Sequence, residues 1–401
     1  MCPYQGLAPF DIDKSELFFG RARATADLLA RLGSRLDGHG HLLLVSGVSG
    51  VGKSSLLRAG LMPGLAEGKL PVAGSRHWPR LLITPTPAPM RALAAAWTES
   101  FGGCAEALHD RLREDPREAL SGTVPGDGRV VLVVDQFEEL FTLVPDERER
   151  QAFVRALHAL AEGSGVIVGV RADYWDRCAA YPQFAEAIQD GQVIVEPMTE
   201  SDLRLAVTGP AAAVGLDLEP GLVEIILAEL RAAGQATGDR YGAGVLPLLS
   251  QALRNTWDRR EDGRLTVRGY EESGRVRDSV RKTADEVLQG LPPRDRKIAL
   301  RLFRRMTVIT AGGRVARRKA TLAEIHSAAS ADTAESRGRV EALLSAFAAR
   351  RLLTLHEDTA EIAHDALLTA WPTLRQWLEP DLTAQAVYDR LVEDATEWDE
   401  H

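Results

Sequence analysis

The stretch LLLVSGVSGVGKSSLL, residues 42–57, decides the fold. Its apolar opening, LLLV, reads as a buried strand, the glycine-rich centre as a turn, and SSLL, continuing into RAGLMPGLAE, as a helix. From Gly47 to Ser54 the chain satisfies the spacing GxxxxGK[ST], a phosphate-cradling loop set between strand and helix. Gly47, Gly50 and Gly52 let successive backbone N–H groups turn inward, where side chains with a Cβ would obstruct them. The cradle comprises Gly47, Ser49, Gly50, Val51, Gly52, Lys53, Ser54 and Ser55. Lys53 is placed to reach β- and γ-phosphate oxygens, and the Ser54 hydroxyl to ligate Mg²⁺. The opening helix points its positive dipole end, about half a charge, at the same anions. This pattern predicts a bound nucleoside triphosphate.

Outward from the loop, short apolar runs recur at RLLIT (80–84), RVVLVV (129–134), VIVGV (166–170) and QVIVE (192–196), separated by helix-compatible stretches. Rich in valine, leucine and isoleucine without polar alternation, they predict a five-stranded parallel sheet covered on both faces and ending near residue 197. Asp135 closes the third run, where a carboxylate can hold Mg²⁺ through its water shell. Glu138 and Glu139 follow, and either can orient or deprotonate an attacking water. Many ATPases carry that glutamate directly after the aspartate. Here the position is Gln136, which cannot take a proton. Arg171 closes the run that starts at 166; in ATPases with an inserted strand, that strand lies between the loop strand and the strand bearing the aspartate, which would leave Arg171 facing the γ-phosphate.

At 401 residues the chain is too long for a single core and predicts two or three domains. A net charge of −9 argues against broad attraction to nucleic acid or an anionic membrane. Cys2, Cys104 and Cys178 are scattered without metal or disulfide spacing. No export leader and no run of about 18 apolar residues is visible. The expectation is a cytoplasmic protein without a membrane span.

Beyond Thr199 the texture turns helical, opened by a capping box at Thr199 to Asp202 and sustained through LVEIILAEL (222–230), LPLLSQALRNTW (246–257) and VRKTADEVLQGL (280–291). Pro292 and Pro293 break the pattern. A helix, a second box at Thr321 to Glu324, the helix at 340–351 and two β-runs, LLTLH and AEIAH, then spell a winged helix. The predicted domains are a P-loop NTPase domain (1–198), a helical lid (199–291), a winged helix (292–378) and a helical linker (379–401). Glu357, Asp358 and Glu361 on the wing would repel phosphates, Arg350 and Arg351 give a small basic spot, and the region of Arg314, Arg317, Arg318 and Lys319 is basic enough to touch an acidic partner.

Read together, these residues resemble the STAND class of P-loop NTPases, in its bacterial novel-STAND branch, related to NACHT and NB-ARC modules. FFGR (18–21) is similar to the element whose residues, here Phe19, Gly20 and Arg21, pack against adenine. DQFEE (135–139) has the acidic spacing of the NACHT box. VLPLL (245–249) looks like the proline element in which Pro247 approaches the base, with a Gly244 to Pro247 spacing one residue longer than usual. AHDALLTAW (363–371) matches a Met-His-Asp element with Ala363 in place of methionine, so that His364 would contact the β-phosphate of ADP. The resemblance implies an ATP/ADP switch in bacterial signalling or defence, with slow Mg²⁺-dependent hydrolysis controlling opening and homo-oligomerisation. Trigger and effector would lie in flanking domains. Adenine specificity is likewise implied by the resemblance alone. The alternative is a DNA-engaging ATPase of the initiator or loader type; the acidic wing speaks against nucleic acid as a partner. A nucleotide-locked scaffold without turnover is a third reading, kept open by Gln136.

Overall fold

The computed structural model describes residues 1–36, 42–120, 123–124, 129–237, 244–309, 315–356 and 358–380. They fall into two compact units: residues 9–214 with 234–243, and residues 1–8, 215–233 and 244–401.

The first unit is built on five parallel strands, β1 (Leu43–Gly47), β2 (Arg80–Ile83), β3 (Val131–Val134), β4 (Gly165–Arg171) and β5 (Gln192–Ile194), in the order β2-β3-β4-β1-β5. Both faces are dry, and alternate residues separate into two cores. Leu44, Leu132, Val134, Val166 and Val168 join one with Met90, Trp97, Phe153 and Phe184. Leu43, Val45, Val131, Val133 and Ile167 join the other with Leu28, Leu32, Leu57 and Leu61. Each such side chain contributes roughly 1.5–3 kcal/mol of burial, so register is strongly specified. As the sequence predicts, β4 lies between β1 and β3, and Gly47 sits level with Arg171.

Behind the loop the helix begins as Lys53–Ser55, widens into a π-helical stretch over Leu56–Leu61 and resumes as Met62–Ala66. The predicted boundary at 198 falls inside this unit, because helix Glu200–Ala213 packs on the 3-10 segment Ile12–Leu17 and the Phe19 ring rests on it at Gly209. A Cβ at Gly209 would stand 2.4 Å from that ring.

In the second unit, helices Val245–Asp258 and Arg275–Gly290 are pinned by a buried polar ladder. Asn255 donates to Thr283 Oγ1 (2.8 Å) and the Ser279 carbonyl (3.2 Å), and Gln251 donates to Asn255 Oδ1 (2.9 Å). A short parallel pair, β6 (Asp217–Leu218) and β7 (Arg264–Leu265), lies beside them. Helix Pro293–Arg305 leads through a hairpin, β8 (Thr307–Ile309) and β9 (Val315–Arg317), into β10 (Ala320–Thr321) and helices Leu322–Ala328 and Ala334–Ala349. These are followed by β11 (Leu353–Leu355) and β12 (Thr359–Ile362). With the β8–β9 hairpin set aside as an addition, the order helix, strand, helix, helix, hairpin, with a three-stranded sheet β10-β12-β11, is that of a winged helix. Phe303 meets Phe347 and Trp371 edge-on at 5.0 and 5.2 Å in its core.

The charges of this unit differ from expectation. Arg317 pairs with Asp365 (2.8 Å), Arg318 with Glu324, and Lys319 with Glu361 (4.0 Å), so these three cations are met by acids of their own unit. Arg350 pairs with Glu286 (2.9 Å) and Asp258 (3.6 Å). Glu361 is buried, not displayed on the wing. Spacing along the chain shows a cluster of like charges but not the acids folded against them. Arg314, Glu357 and the linker from 381 lie outside the described residues.

Candidate functional site: the carboxyl edge of the sheet

The loop follows β1 with left-handed backbone at Gly50 (φ 81°) and Gly52 (φ 95°), the conformation that glycine adopts without a Cβ penalty. Lys53 Nζ donates to the carbonyls of Gly47 (2.7 Å) and Val48 (3.1 Å), folding back across the cradle. Arg21, buried, donates to the carbonyls of Val51 (2.6 Å) and Glu196 (2.8 Å), tying the loop to the chain after β5. It acts here as a brace of the cradle. Phe18, Phe19, Gly20 and Arg21 border a cavity of about 860 Å³ with Thr25, Ala59, Gly60 and Pro63.

Asp135 is 1% exposed at the end of β3. Its Oδ1 accepts from the Ser54 hydroxyl (3.0 Å) and from the Gln136 N–H (3.0 Å), and its Oδ2 accepts from Arg58 Nε (2.9 Å). Hydroxyl and carboxylate thus stand side by side, the donor pair that suits Mg²⁺ bound chiefly through substrate phosphates and water. Among the described residues no three His, Cys, Asp or Glu side chains gather to hold a metal by themselves. When bound, Mg²⁺ would neutralise charge on the phosphates.

Gln136 has φ 55°, an uncommon left-handed turn for a residue with a side chain. The turn carries the chain across β4, where Phe137 N–H meets the Gly169 carbonyl at 2.8 Å. Glu138 is thereby directed toward Arg171, whose backbone N–H it accepts at 3.2 Å. Burial pushes the Glu138 carboxyl above its usual range, against the pull of Lys53, and burial pushes Lys53 down while Glu138 opposes it. Glu139 instead begins helix Glu139–Leu143. The Arg171 guanidinium forks onto Asp173, Nε to Oδ1 at 3.0 Å and Nη2 to Oδ2 at 2.8 Å. The structure therefore brings Lys53, Ser54, Asp135, Glu138 and the Arg171 backbone together.

Pro247 and His364 belong to the second unit. Pro247 is buried in the first turn of its helix. His364 Nδ1 accepts the Ala366 N–H at 3.0 Å, which fixes the ring proton on Nε2. Arg317 clasps this corner through Asp365 and the carbonyls of Ile362 (3.0 Å) and Ala363 (3.3 Å). Sequence reasoning thus missed Arg58, on the carboxylate of Asp135, and read Arg317 only as part of a basic region. The first sits four positions after Ser54, one helical turn away on the same face, a signal that was present in the spacing.

A glycine loop after β1, a strand-end aspartate and a parallel sheet of this order define a P-loop NTPase. The novel STAND NTPase 1 family model matches residues 3–401, and the chain belongs to that family. No match is found among curated proteins. The chain is similar in fold to the Aeropyrum pernix ORC1 protein solved with DNA (18% identity, 94% of this chain and 96% of that one, TM-score 0.46). It is also similar to Aeropyrum pernix ORC2 solved as ADPNP-ADP complexes (15%, 92% and 94%, 0.45) and to Thermotoga maritima RuvB (15%, 89% and 95%, 0.38). These are likenesses of architecture and assign no activity. No helix of the described residues is long and apolar enough to cross a membrane.

Proposed function

We propose that the chain is an ATP/ADP switch with slow Mg²⁺-dependent hydrolysis that controls opening and homo-oligomerisation of a STAND signalling protein. The observation that carries this reading is the convergence of Lys53, the Ser54–Asp135 pair and Glu138 at one edge of the sheet. A phosphate chain in the cradle would replace the carbonyls now met by Lys53, Ser54 and Asp135 would hold Mg²⁺, and Glu138 would face the attacking water. His364, donating from Nε2, and Pro247 are the residues through which the second unit would distinguish ADP. Such a ligand shifts the equilibrium only by its differential contacts, and one charge-assisted hydrogen bond of ~1.5–3 kcal/mol gives about 10- to 100-fold. The DNA-engaging alternative needs displayed cations on the winged helix. Here Arg317, Arg318, Lys319 and Arg350 are paired within their unit and helix Ala334–Ala349 exposes Glu335 and Glu341 beside Arg337, while cations on display lie on helix Pro293–Arg305, at Arg301, Arg304 and Arg305.

Calorimetry of ATP and ADP with the wild type and Lys53→Ala tests the reading. Wild-type binding with a loss of at least about tenfold in the variant is expected, since the variant lacks the loop's cationic side chain. Unchanged affinity in Lys53→Ala, or a wild type that binds neither nucleotide, would overturn it.

A further inference from the structure

The carboxylate expected to serve Mg²⁺ is already shared with a cation. Asp135 gives Oδ1 to Ser54 at 3.0 Å and Oδ2 to Arg58 Nε at 2.9 Å. Arg58 lies on the π-helical stretch Leu56–Leu61 behind the cradle, a distortion often found at functional sites. Its side chain is 20% exposed, against 2% for Asp135, so this pair is little screened by solvent. A second acid stands on the other side. Asp11 Oδ2 is 3.6 Å from Arg58 Nη1, while Asp11 Oδ1 caps the 3-10 segment Ile12–Leu17 by accepting the Ile12 N–H at 2.8 Å. The adjoining Phe10 N–H donates to Ser55 Oγ at 3.1 Å, so the same segment is tied to the residue after Ser54.

We propose that Arg58 is a positioning residue and a tethered competitor of Mg²⁺: its guanidinium holds Asp135 until the divalent cation claims the carboxylate, and it then shifts to Asp11. The proposal rests on the nucleotide-binding reading given above. A fixed positive charge within hydrogen-bond reach of the ligand oxygen raises the Mg²⁺ concentration needed for loading, because two cations compete for one carboxylate. Asp11 lowers that requirement by offering the displaced guanidinium an acceptor. Metal loading is thereby transmitted to the segment that leads into Phe18 and Phe19. The fork geometry matters less than the charge in this scheme, which separates it from a purely structural tie.

The test is an Mg²⁺ titration of the binding of a fluorescent ATP analogue, read by anisotropy on the full chain, with affinity in EDTA as the metal-free reference. Arg58→Gln should lower the half-saturating Mg²⁺ by about tenfold, as expected for removing a close charge in a partly buried site. Arg58→Lys, which keeps the charge, should stay within about twofold of wild type, and Asp11→Asn should raise the midpoint by about threefold. An unchanged or raised midpoint in Arg58→Gln, or equal shifts in the Gln and Lys variants, would overturn the competition. If Arg58→Gln does not fold, the exposed cap variant Asp11→Asn decides, and an unmoved or lowered midpoint rejects the proposal. A wild type that binds no analogue at any Mg²⁺ concentration would remove the nucleotide reading itself; a wild type that binds with a midpoint indifferent to Arg58 removes only this inference.

Discussion

Glu138 and Glu139 are neighbours in sequence with different surroundings, and chemistry at the sheet edge depends on which of them faces the phosphates. Glu138 accepts the Arg171 N–H and shares the electrostatic neighbourhood of Lys53, whereas Glu139 starts a helix. Glu138→Gln is expected to retain nucleotide affinity and slow hydrolysis by ~10²–10⁴, with Glu139→Gln within about threefold of wild type. Single-turnover phosphate release measures both, and the reverse ranking would reassign the base. The pH dependence follows from burial, which pushes the Glu138 carboxyl up. A base must be ionised, so turnover should be low where Glu138 is protonated and rise with pH through its elevated pKa. That rise should vanish in Glu138→Gln. Sequence alone pointed to Asp135 through its place at a strand end. It left the two glutamates equal because their separation is made by the left-handed turn at Gln136, which no periodicity announces.

At the level of elements, the sheet was legible because its strands are short unbroken apolar runs, and burial on both faces leaves no other pattern for them. The capping boxes at Thr199 and Thr321 were legible for a local reason, each being closed by a side chain three residues on. Helix Glu200–Ala213 was not assignable to its unit in the same way. Its attachment depends on Gly209, a residue that propensity counts as a cost of about 1 kcal/mol in a helix, and whose bare backbone accommodates Phe19. Gly209→Val should therefore destabilise the chain by roughly 1–3 kcal/mol despite improving the local apolar pattern. Urea denaturation followed by circular dichroism checks this, and a variant as stable as wild type would mean that Phe19 is free to move aside. The basic region at 317–319 was misleading for the opposite reason, since its partners Asp365, Glu324 and Glu361 are supplied partly from distant sequence.

For the molecule as a whole, the readings divide along its two units. If His364 senses the β-phosphate, His364→Ala should weaken ADP more than ATP, by about tenfold for the loss of one charge-assisted hydrogen bond. Parallel calorimetric titrations decide this, and equal losses for the two nucleotides would count against sensing. Helix Pro293–Arg305 exposes Arg301, Arg304 and Arg305, but Arg317, Arg318 and Arg350 are paired within their unit and the net charge is −9, so the chain should show no duplex DNA affinity that strengthens steeply as salt is lowered. Fluorescence anisotropy between 50 and 200 mM salt, a range of about 10³–10⁵ in affinity for a protein making 6–10 phosphate contacts, tests this directly. The widened turn behind the cradle bears on how such a chain can change over time. A π-helical turn takes in one residue more than an α-helical turn over about the same rotation, so the extra residue between Leu56 and Leu61 is absorbed locally and the helix beyond it keeps its phase. Deleting one residue there would regularise the helix and leave Gly64 facing Leu29, whereas a further insertion with no second bulge to absorb it would swing that glycine by about 100° out of the seam. Natural variation in the length of this segment should therefore run toward loss of the widened turn and not toward further gain.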